Sequence, residues 1–418
     1  MGYEKTVLSN GVTVVSESMP WVRSITMGFW YHVGSRDERP NQAGLTHFME
    51  HMMFKGTPTM SASEVSEAFD ALGAESNAFT SKEYTCYYAR FVDERLDDVL
   101  PLLADMVVNS SFRDEDIRTE REVVIEEIAR SEDQPDDHVF EMYMGALLPT
   151  HPLGRPVLGT RELVQGYEHE ACRAFHDEYY HSGNLVVSAV GNLDHAQLVQ
   201  KVEKALTGIR VGKRLERVPA IEDARISFAS QKRETEQAHL VYGFPWYKAG
   251  APERFAGSLL GAILGGSMSS RLFQEVREKN GLAYSVMAGS SVYGDLGQFY
   301  VYCGTRPDNL GKATDIIRRE LARIADEAPT GEEVRRSCEV ICGQLLLGVE
   351  STSDRMVRLG RRETMGLPQT EVSELIERYR AVKTEDVREV AAKYLTASPT
   401  AAVVSPFEED KARTLIFG

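Results

Sequence analysis

The stretch Ala43-Gly-Leu-Thr-His47-Phe-Met-Glu50-His51-Met-Met-Phe54-Lys-Gly-Thr57 reads as a short helix closed by Gly56-Thr-Pro58. Positions four apart share a helical face, so His47 and His51 can offer two imidazoles to one metal ion. Glu50 lies three residues after His47 and one before His51, beside that face but displaced around the helix. Its carboxylate can therefore reach a water near the ion without binding the ion. Leu45, Phe48, Met49, Met52 and Met53 set a dry wall around the polar trio. Two unconnected histidines on a polar helix face are the plainer account of such a pair, but the intervening glutamate and the apolar setting weigh against it. A catalytic zinc needs a third protein ligand and one open position, so the helix alone does not complete a site.

Outward from this helix, residues 6–8 and 12–16 read as short strands about the turn Ser9-Asn10-Gly11, and 25–33 as a longer strand. After it come a helix at 62–72 and a strand at 76–90. Helices at 95–108, 114–131, 137–148 and 169–180 follow, then a strand at 185–190 closed by Gly191-Asn192 and a helix at 196–206. Strands and helices cluster instead of alternating, which predicts an α+β layered fold. Residues 208–233 are polar with little apolar periodicity and mark a linker. Beyond it the plan restarts, with a strand at 239–244, helices at 253–264 and 270–279, strands at 283–291 and 298–304, and long helices over 307–366. The recurrence predicts two related α/β-sandwich domains with mainly antiparallel sheets covered by helices. Their expected bounds are 1–210 and 233–418, joined by a linker at 211–232.

A length of 418 residues exceeds what one core usually serves, in keeping with two domains. The formal net charge of −16 argues against nucleic acid and anionic membranes as partners, and leans toward cationic substrates. No apolar run is long enough to span a bilayer, and the opening residues show no secretory pattern. Five cysteines are few and odd in number for a disulfide framework, so the expected compartment is the reducing cytoplasm. Cys338 and Cys342 stand four apart in a helical pattern, but no second Cys or His pair lies near them. Buried small side chains are expected there.

His-x-x-Glu-His is the reverse of the zincin order. Together with Asn77-Ala-Phe-Thr80, Glu120-Arg-Glu-Val-Val-Ile-Glu-Glu-Ile128 and Arg277-Glu-Lys-Asn-Gly-Leu-Ala-Tyr284, it makes the chain resemble the pitrilysin/insulinase family of zinc metallopeptidases. The resemblance runs over nearly the whole chain and is to the branch of bacterial processing proteases and the β subunit of mitochondrial processing peptidase. It implies a zinc metalloendopeptidase with one Zn²⁺ per chain. The family's third ligand lies about 76 positions past the second histidine, which is Glu127 here. Helix geometry agrees, because Glu120 and Glu127 are two turns apart on one face, while Glu122 and Glu126 point elsewhere and are expected in solvent. Glu120 matches a supporting acid that would orient a ligand histidine. Zinc on two neutral imidazoles and a carboxylate keeps a positive charge and acidifies water. Glu50 would take that water's proton during attack on the scissile carbonyl and deliver it to the leaving amine.

Arg277 and Tyr284 match the pair that, in relatives, touches substrate near the scissile bond from the C-terminal-type domain. Asn77, Ala78 and Phe79, followed by Thr80, match the edge strand to which an extended peptide adds through main-chain hydrogen bonds. Phe54 matches a position that shapes the pocket for the residue after the cut. Asp137 and Glu141 match the acidic pair that, in the mitochondrial enzyme, receives an arginine just before the cut, although here the two acids are swapped. The implied substrates are extended or unfolded peptides, with a preference for basic residues. Full-length pitrilysin-type enzymes fuse two halves of this size and take the Arg/Tyr pair from the half opposite the zinc. A chain carrying both is therefore expected to form a homodimer with composite sites inside a chamber. One alternative is a catalytically silent scaffold subunit like the core proteins of respiratory complexes, against which the intact set His47, Glu50, His51 and Glu127 counts. Another is an enzyme specialised for maturing one peptide-derived cofactor or natural product. His32, His138, His151, His169, His176, His181, His195 and His239 lack partners at ligand spacing and are assigned to packing or the surface.

Overall fold

The computed structural model describes residues 2–219 and 227–418. Its strands are β1 (Glu4–Val7), β2 (Thr13–Ser18), β3 (Ser24–Tyr31), β4 (Glu75–Thr80), β5 (Thr85–Val92), β6 (Leu185–Gly191), β7 (Phe228–Lys232), β8 (Ala238–Trp246), β9 (Ala283–Val292), β10 (Gly297–Thr305) and β11 (Thr400–Ser405). They build a six-stranded sheet in the order β1-β2-β6-β3-β5-β4 and a five-stranded sheet in the order β7-β11-β8-β10-β9. All pairings are antiparallel except β2 with β6 and β7 with β11. This is the expected α+β fold with two mainly antiparallel sheets. Among the described residues no helix is long and apolar enough to cross a membrane.

The central strand β3 shows why the first sheet reads as a continuous apolar run. Met27, Phe29 and Tyr31 point into one core with Leu45, Phe48, Met49 and Met52 of the helix Leu45–Met52. Trp30 points the other way, into a second cluster with Val15, Val186, Val190, Met356 and Leu359. A strand covered on both faces has no polar side to show. Each of these large side chains stabilises the fold by roughly 1.5–3 kcal/mol relative to exposure.

The cover on the second face comes from far along the chain. Two compact units form: Met1–Ala129, Arg155–Val218 and Leu347–Glu371 make the first, and Arg130–Gly154, Pro219–Leu346 and Val372–Gly418 the second. The helix Thr352–Thr364 lies on the first sheet, whereas Pro135–Leu147 lies on the second, where Val139, Tyr143 and Leu147 meet Val241, Tyr302, Ala402 and Val404. The contiguous division at 1–210 and 233–418 therefore differs from the units observed. Each sheet needs two apolar covers, and each takes one of them from the other part of the chain.

The expected linker at 211–232 also differs. Its residues 220–226 lie outside those described. Residues 211–218 are fastened to the first unit, with the Leu215 N–H on Asn184 Oδ1 (2.8 Å) and Arg217 bidentate on Asp37 (2.8 Å for each contact). Residues 228–232 are β7, an edge strand whose half-exposed side chains conceal its period. The span 76–90, read as one strand, is the hairpin β4–β5, turned where Ser81 N–H meets Tyr84 O at 2.9 Å. The stretch 307–366 resolves into the helices Leu310–Asp326, Gly331–Gly348 and Thr352–Thr364. Cys338 and Cys342 are buried as expected, with sulfurs 3.8 Å apart.

The crossing of Thr352–Thr364 over the sheet requires a glycine. A Cβ on Gly360 would stand 2.2 Å from Trp30 Nε1 and 2.7 Å from Ser188 Oγ, and Trp30 is itself pinned to Ser188 Oγ at 2.9 Å. Gly360→Val is expected to cost about 2–3 kcal/mol through overpacking. The check is chemical denaturation, in which a midpoint equal to the parent's would contradict the close approach.

Candidate metal centre

The helix Leu45–Met52 divides its residues into two stripes. Leu45, Phe48, Met49 and Met52 are buried in the core of the first unit, while His47, Glu50 and His51 line the opposite side. Gly44 starts the helix at φ +96°, where a Cβ would lie 2.5 Å from Leu158 O. The buried carboxylate of Glu38 then accepts the N–H groups of Gly44 (3.0 Å) and Thr46 (2.7 Å). Arg155 holds the Glu38 carbonyl at 2.6 Å, and the Tyr167 hydroxyl holds that of Ala43 at 2.8 Å. Orphan donors at the helix head are thus satisfied by a fixed carboxyl group.

The two imidazole rings lie with centroids 4.7 Å apart. Glu127, on the helix Asp114–Asp133, reaches them from the side, with Oε2 3.7 Å from His47 Nε2 and 3.6 Å from His51 Nε2. Ligand atoms of His47, His51 and Glu127 all fall within 4.8 Å of one another, the one such group of three among the described residues. Donors around tetrahedral zinc stand about 3.3 Å apart, given bonds near 2.0 Å. The two Glu127 separations come close to this, and the donor set suits that ion. Glu120, two turns before Glu127, is buried and places Oε1 2.7 Å from His51 Nδ1, leaving Nε2 for the cluster. Glu122 and Glu126 are exposed.

Burial, reinforced by the neighbouring His51, pushes His47 down to about 3, so this imidazole stays neutral. Burial acts on His51 in the same sense but is outweighed by the Glu120 hydrogen bond and by the charges of Glu120, Glu50 and Glu127, which raise it. For Glu120, burial is outweighed by hydrogen bonds with His51 and Lys55, which hold it below the usual carboxylate range. Glu50 is raised, chiefly by burial, against the pull of Thr80 at the end of β4. A carboxylate so raised is a better proton acceptor near neutrality.

The remaining candidates divide between the units. In the first, Asn77, Ala78 and Phe79 lie on β4, which is an edge strand, and Asn77 Oδ1 accepts the Ala78 N–H at 2.8 Å. Phe54 is half-buried, its ring 6.4 Å from that of Tyr87. In the second unit, Arg277 sits in a π-helical turn, Phe273–Lys279, of the kind frequent at functional sites. Its guanidinium stacks on the ring of Tyr284 at 4.9 Å, and Tyr284 is 77% exposed. Asp137 is exposed and Glu141 half-buried on Pro135–Leu147. Sequence reasoning missed Glu38 and Lys55. The distance from Lys55 Nζ to Glu120 Oε2 is 2.5 Å, and the helical spacing of Lys55, four after His51, was the available signal.

A two-unit α+β chain in which two histidines of a short inverted-order helix meet a glutamate of a second helix is the form of a metallopeptidase. Residues 13–161 match the family described as Insulinase (Peptidase family M16), and residues 167–340 that described as Peptidase M16 inactive domain. An uncharacterized zinc protease of Streptomyces coelicolor is 40% identical over 98% of this chain and 91% of its own length. Another, of Bacillus subtilis, is 40% identical over 95% and 97%. The fold is shared with a crystal structure of a peptidase M16 inactive domain from Pseudomonas fluorescens, at TM-score 0.92 and 20% identity, covering 98% of this chain and 99% of that one. It is also shared with a protease from Helicobacter pylori, at TM-score 0.87 and 22% identity, covering 97% and 100%. The chain belongs to peptidase family M16, the insulinase family.

Metal uptake should follow the unequal histidines. With His47 neutral down to about pH 3 and His51 raised above its ordinary 6.5, His51 is the imidazole of the two that has to lose a proton near pH 6. Zinc binding near pH 6 should release about one proton, and affinity should fall about tenfold per pH unit below the His51 value. Glu120→Gln removes the leading upward influence on His51, so the release at that pH should shrink. Calorimetry in buffers of different ionisation enthalpy measures the count, and two protons per zinc would contradict this assignment.

Proposed function

We propose that the protein is a zinc-dependent metalloendopeptidase acting on extended or unfolded peptides, with His47, His51 and Glu127 holding one zinc per chain. The observation that carries the reading is the convergence of these three side chains beside the raised carboxylate of Glu50. When bound, the ion supplies Lewis acidity to the peptide carbonyl and to water. Glu50 takes the proton of the attacking water and returns it to the departing amine. Glu120 keeps His51 in the tautomer that leaves Nε2 free. The free side of β4 offers main-chain groups to an extended peptide, which displaces the Asn77 side chain from the Ala78 N–H. Phe54 borders the pocket for the residue after the cut, and Asp137 with Glu141 favours basic residues near it.

The active unit is a homodimer forming a chamber, in which Arg277 and Tyr284 of one subunit contact substrate at the zinc of the other. Tyr284 is exposed and stacked on the half-buried Arg277, whose Nε lies 3.7 Å from Glu278 Oε1, so the Tyr284 hydroxyl is open to a ligand beside the guanidinium. The match of residues 167–340 to an inactive-domain description is the observation on the side of a silent scaffold; against it, the whole ligand set lies in residues matched by the insulinase family.

Glu50→Gln should retain zinc and lower kcat about 10³-fold, within the range for loss of a general base. Cleavage of a library of basic peptides, followed by mass spectrometry, reads it, and parent-like turnover would refute the base. Composite sites are tested by mixing Glu50→Gln with Arg277→Ala, each inactive alone. Exchange of subunits should restore about a quarter of parental activity, because half the dimers then hold one intact site of two. No recovery after verified exchange would place the Arg and zinc contributions in the same subunit.

A further inference from the structure

Lys55 is a cation that the proposed chemistry does not use. It lies in the turn after the histidine helix, where its N–H bonds Met52 O at 3.1 Å. Arg113, at the head of the helix Asp114–Asp133, grips that turn through Lys55 O (3.4 Å), Thr57 O (2.7 Å) and Met60 O (3.2 Å). Ser111 N–H adds a bond to Gly56 O at 3.1 Å. Gly56 itself has φ +107° and would place a Cβ 2.4 Å from Met60 O, so the turn has little freedom to shift. From this fixed base Lys55 Nζ stands 2.5 Å from Glu120 Oε2, while Glu120 Oε1 stands 2.7 Å from His51 Nδ1. Glu120 is 3% exposed. His47 has no equivalent support, since its Nδ1 is buried without a hydrogen-bond partner among the described residues.

We propose that Lys55 is a positioning residue for the metal centre, which fixes the Glu120 carboxylate so that His51 Nε2 is aimed at the zinc. This rests on the reading of His47, His51 and Glu127 as zinc ligands. A buried carboxylate with one oxygen unmatched turns toward whatever donor is available. Lys55 stands against Oε2 as an ion pair at 2.5 Å, and its charge holds the carboxylate with Oε1 turned to the His51 ring. The outer support of the cluster is thus a chain of three side chains ending on a cation, built from two helices and the turn that follows the first of them.

The test compares zinc affinity, by competition with a chromophoric chelator, with the melting temperature of the metal-free protein. Lys55→Met should weaken zinc binding about tenfold, the size typical of a lost outer partner, and, by leaving the buried Glu120 carboxylate without its cation, also lower the metal-free melting temperature. Lys55→Arg, which keeps the cation, should bind within about threefold of the parent. In a Glu120→Gln background the Lys55→Met change should add no further loss, because both act through one carboxylate. Parental zinc affinity in Lys55→Met, with or without a lower melting temperature, would overturn the proposal, as would full additivity with Glu120→Gln. A parent protein that binds no zinc would instead refute the metal reading.

Discussion

The hydrogen bonds from the Gly44 and Thr46 N–H groups to Glu38 are the constraint on which the centre depends. An eight-residue helix is far below the length that holds together alone in water. Its register is set from outside, by the anchored head and by the stripe Leu45, Phe48, Met49 and Met52 on the core. Slipping the helix by one residue would turn both imidazoles away from Glu127. Burial pushes the Glu38 carboxyl up to about 7, against the pull of the Thr46 and Gly44 donors. The cap is therefore a buried carboxyl kept in place by its contacts, and Arg155 and Gly44 serve the metal cluster without approaching it.

Around the cluster, charge is distributed unevenly. Three carboxylates, Glu50, Glu120 and Glu127, face two histidines, with Lys55 beside Glu120. Glu120 bonds His51 through one oxygen and is ion-paired with Lys55 through the other, Glu127 faces the two Nε2 atoms, and Glu50 is left with a burial penalty that makes it basic. Three identical side chains thereby acquire distinct properties from position alone. The neutral His47 and the raised His51 differ for the same reason.

The parts legible in the sequence were those whose partners lie within a few residues. Four-residue spacing puts His47 and His51 on one face, and the apolar stripe of their helix is visible in Leu45, Phe48 and Met52. Glu127 came from the resemblance, with helical period as its support. The strand β11 was not read, because Thr400–Ser405 lies deep in a sheet and carries no alternation. Nor was β7, where the side chains are half-exposed on an edge. Glu38 and Lys55 look like ordinary surface charges, and only folding shows that their partners are a helix head and Glu120. The exchange of the helices Pro135–Leu147 and Thr352–Thr364 was invisible for a related reason. An amphipathic helix declares that it needs a sheet but not which one.

That exchange has a consequence for biosynthesis. Trp30, Val15 and Val186 are covered by Met356 and Leu359, over 150 residues beyond the last strand of their sheet. While the ribosome is still making the second sheet, the back of the first remains an open apolar surface. All the residues of the His-His-Glu cluster have been made by then, yet the sheet beneath them is unfinished until the chain has passed Thr364. The last stretch of translation thus governs when the earliest-made part of the protein becomes whole, and a truncated product would carry the ligands without the foundation that holds them.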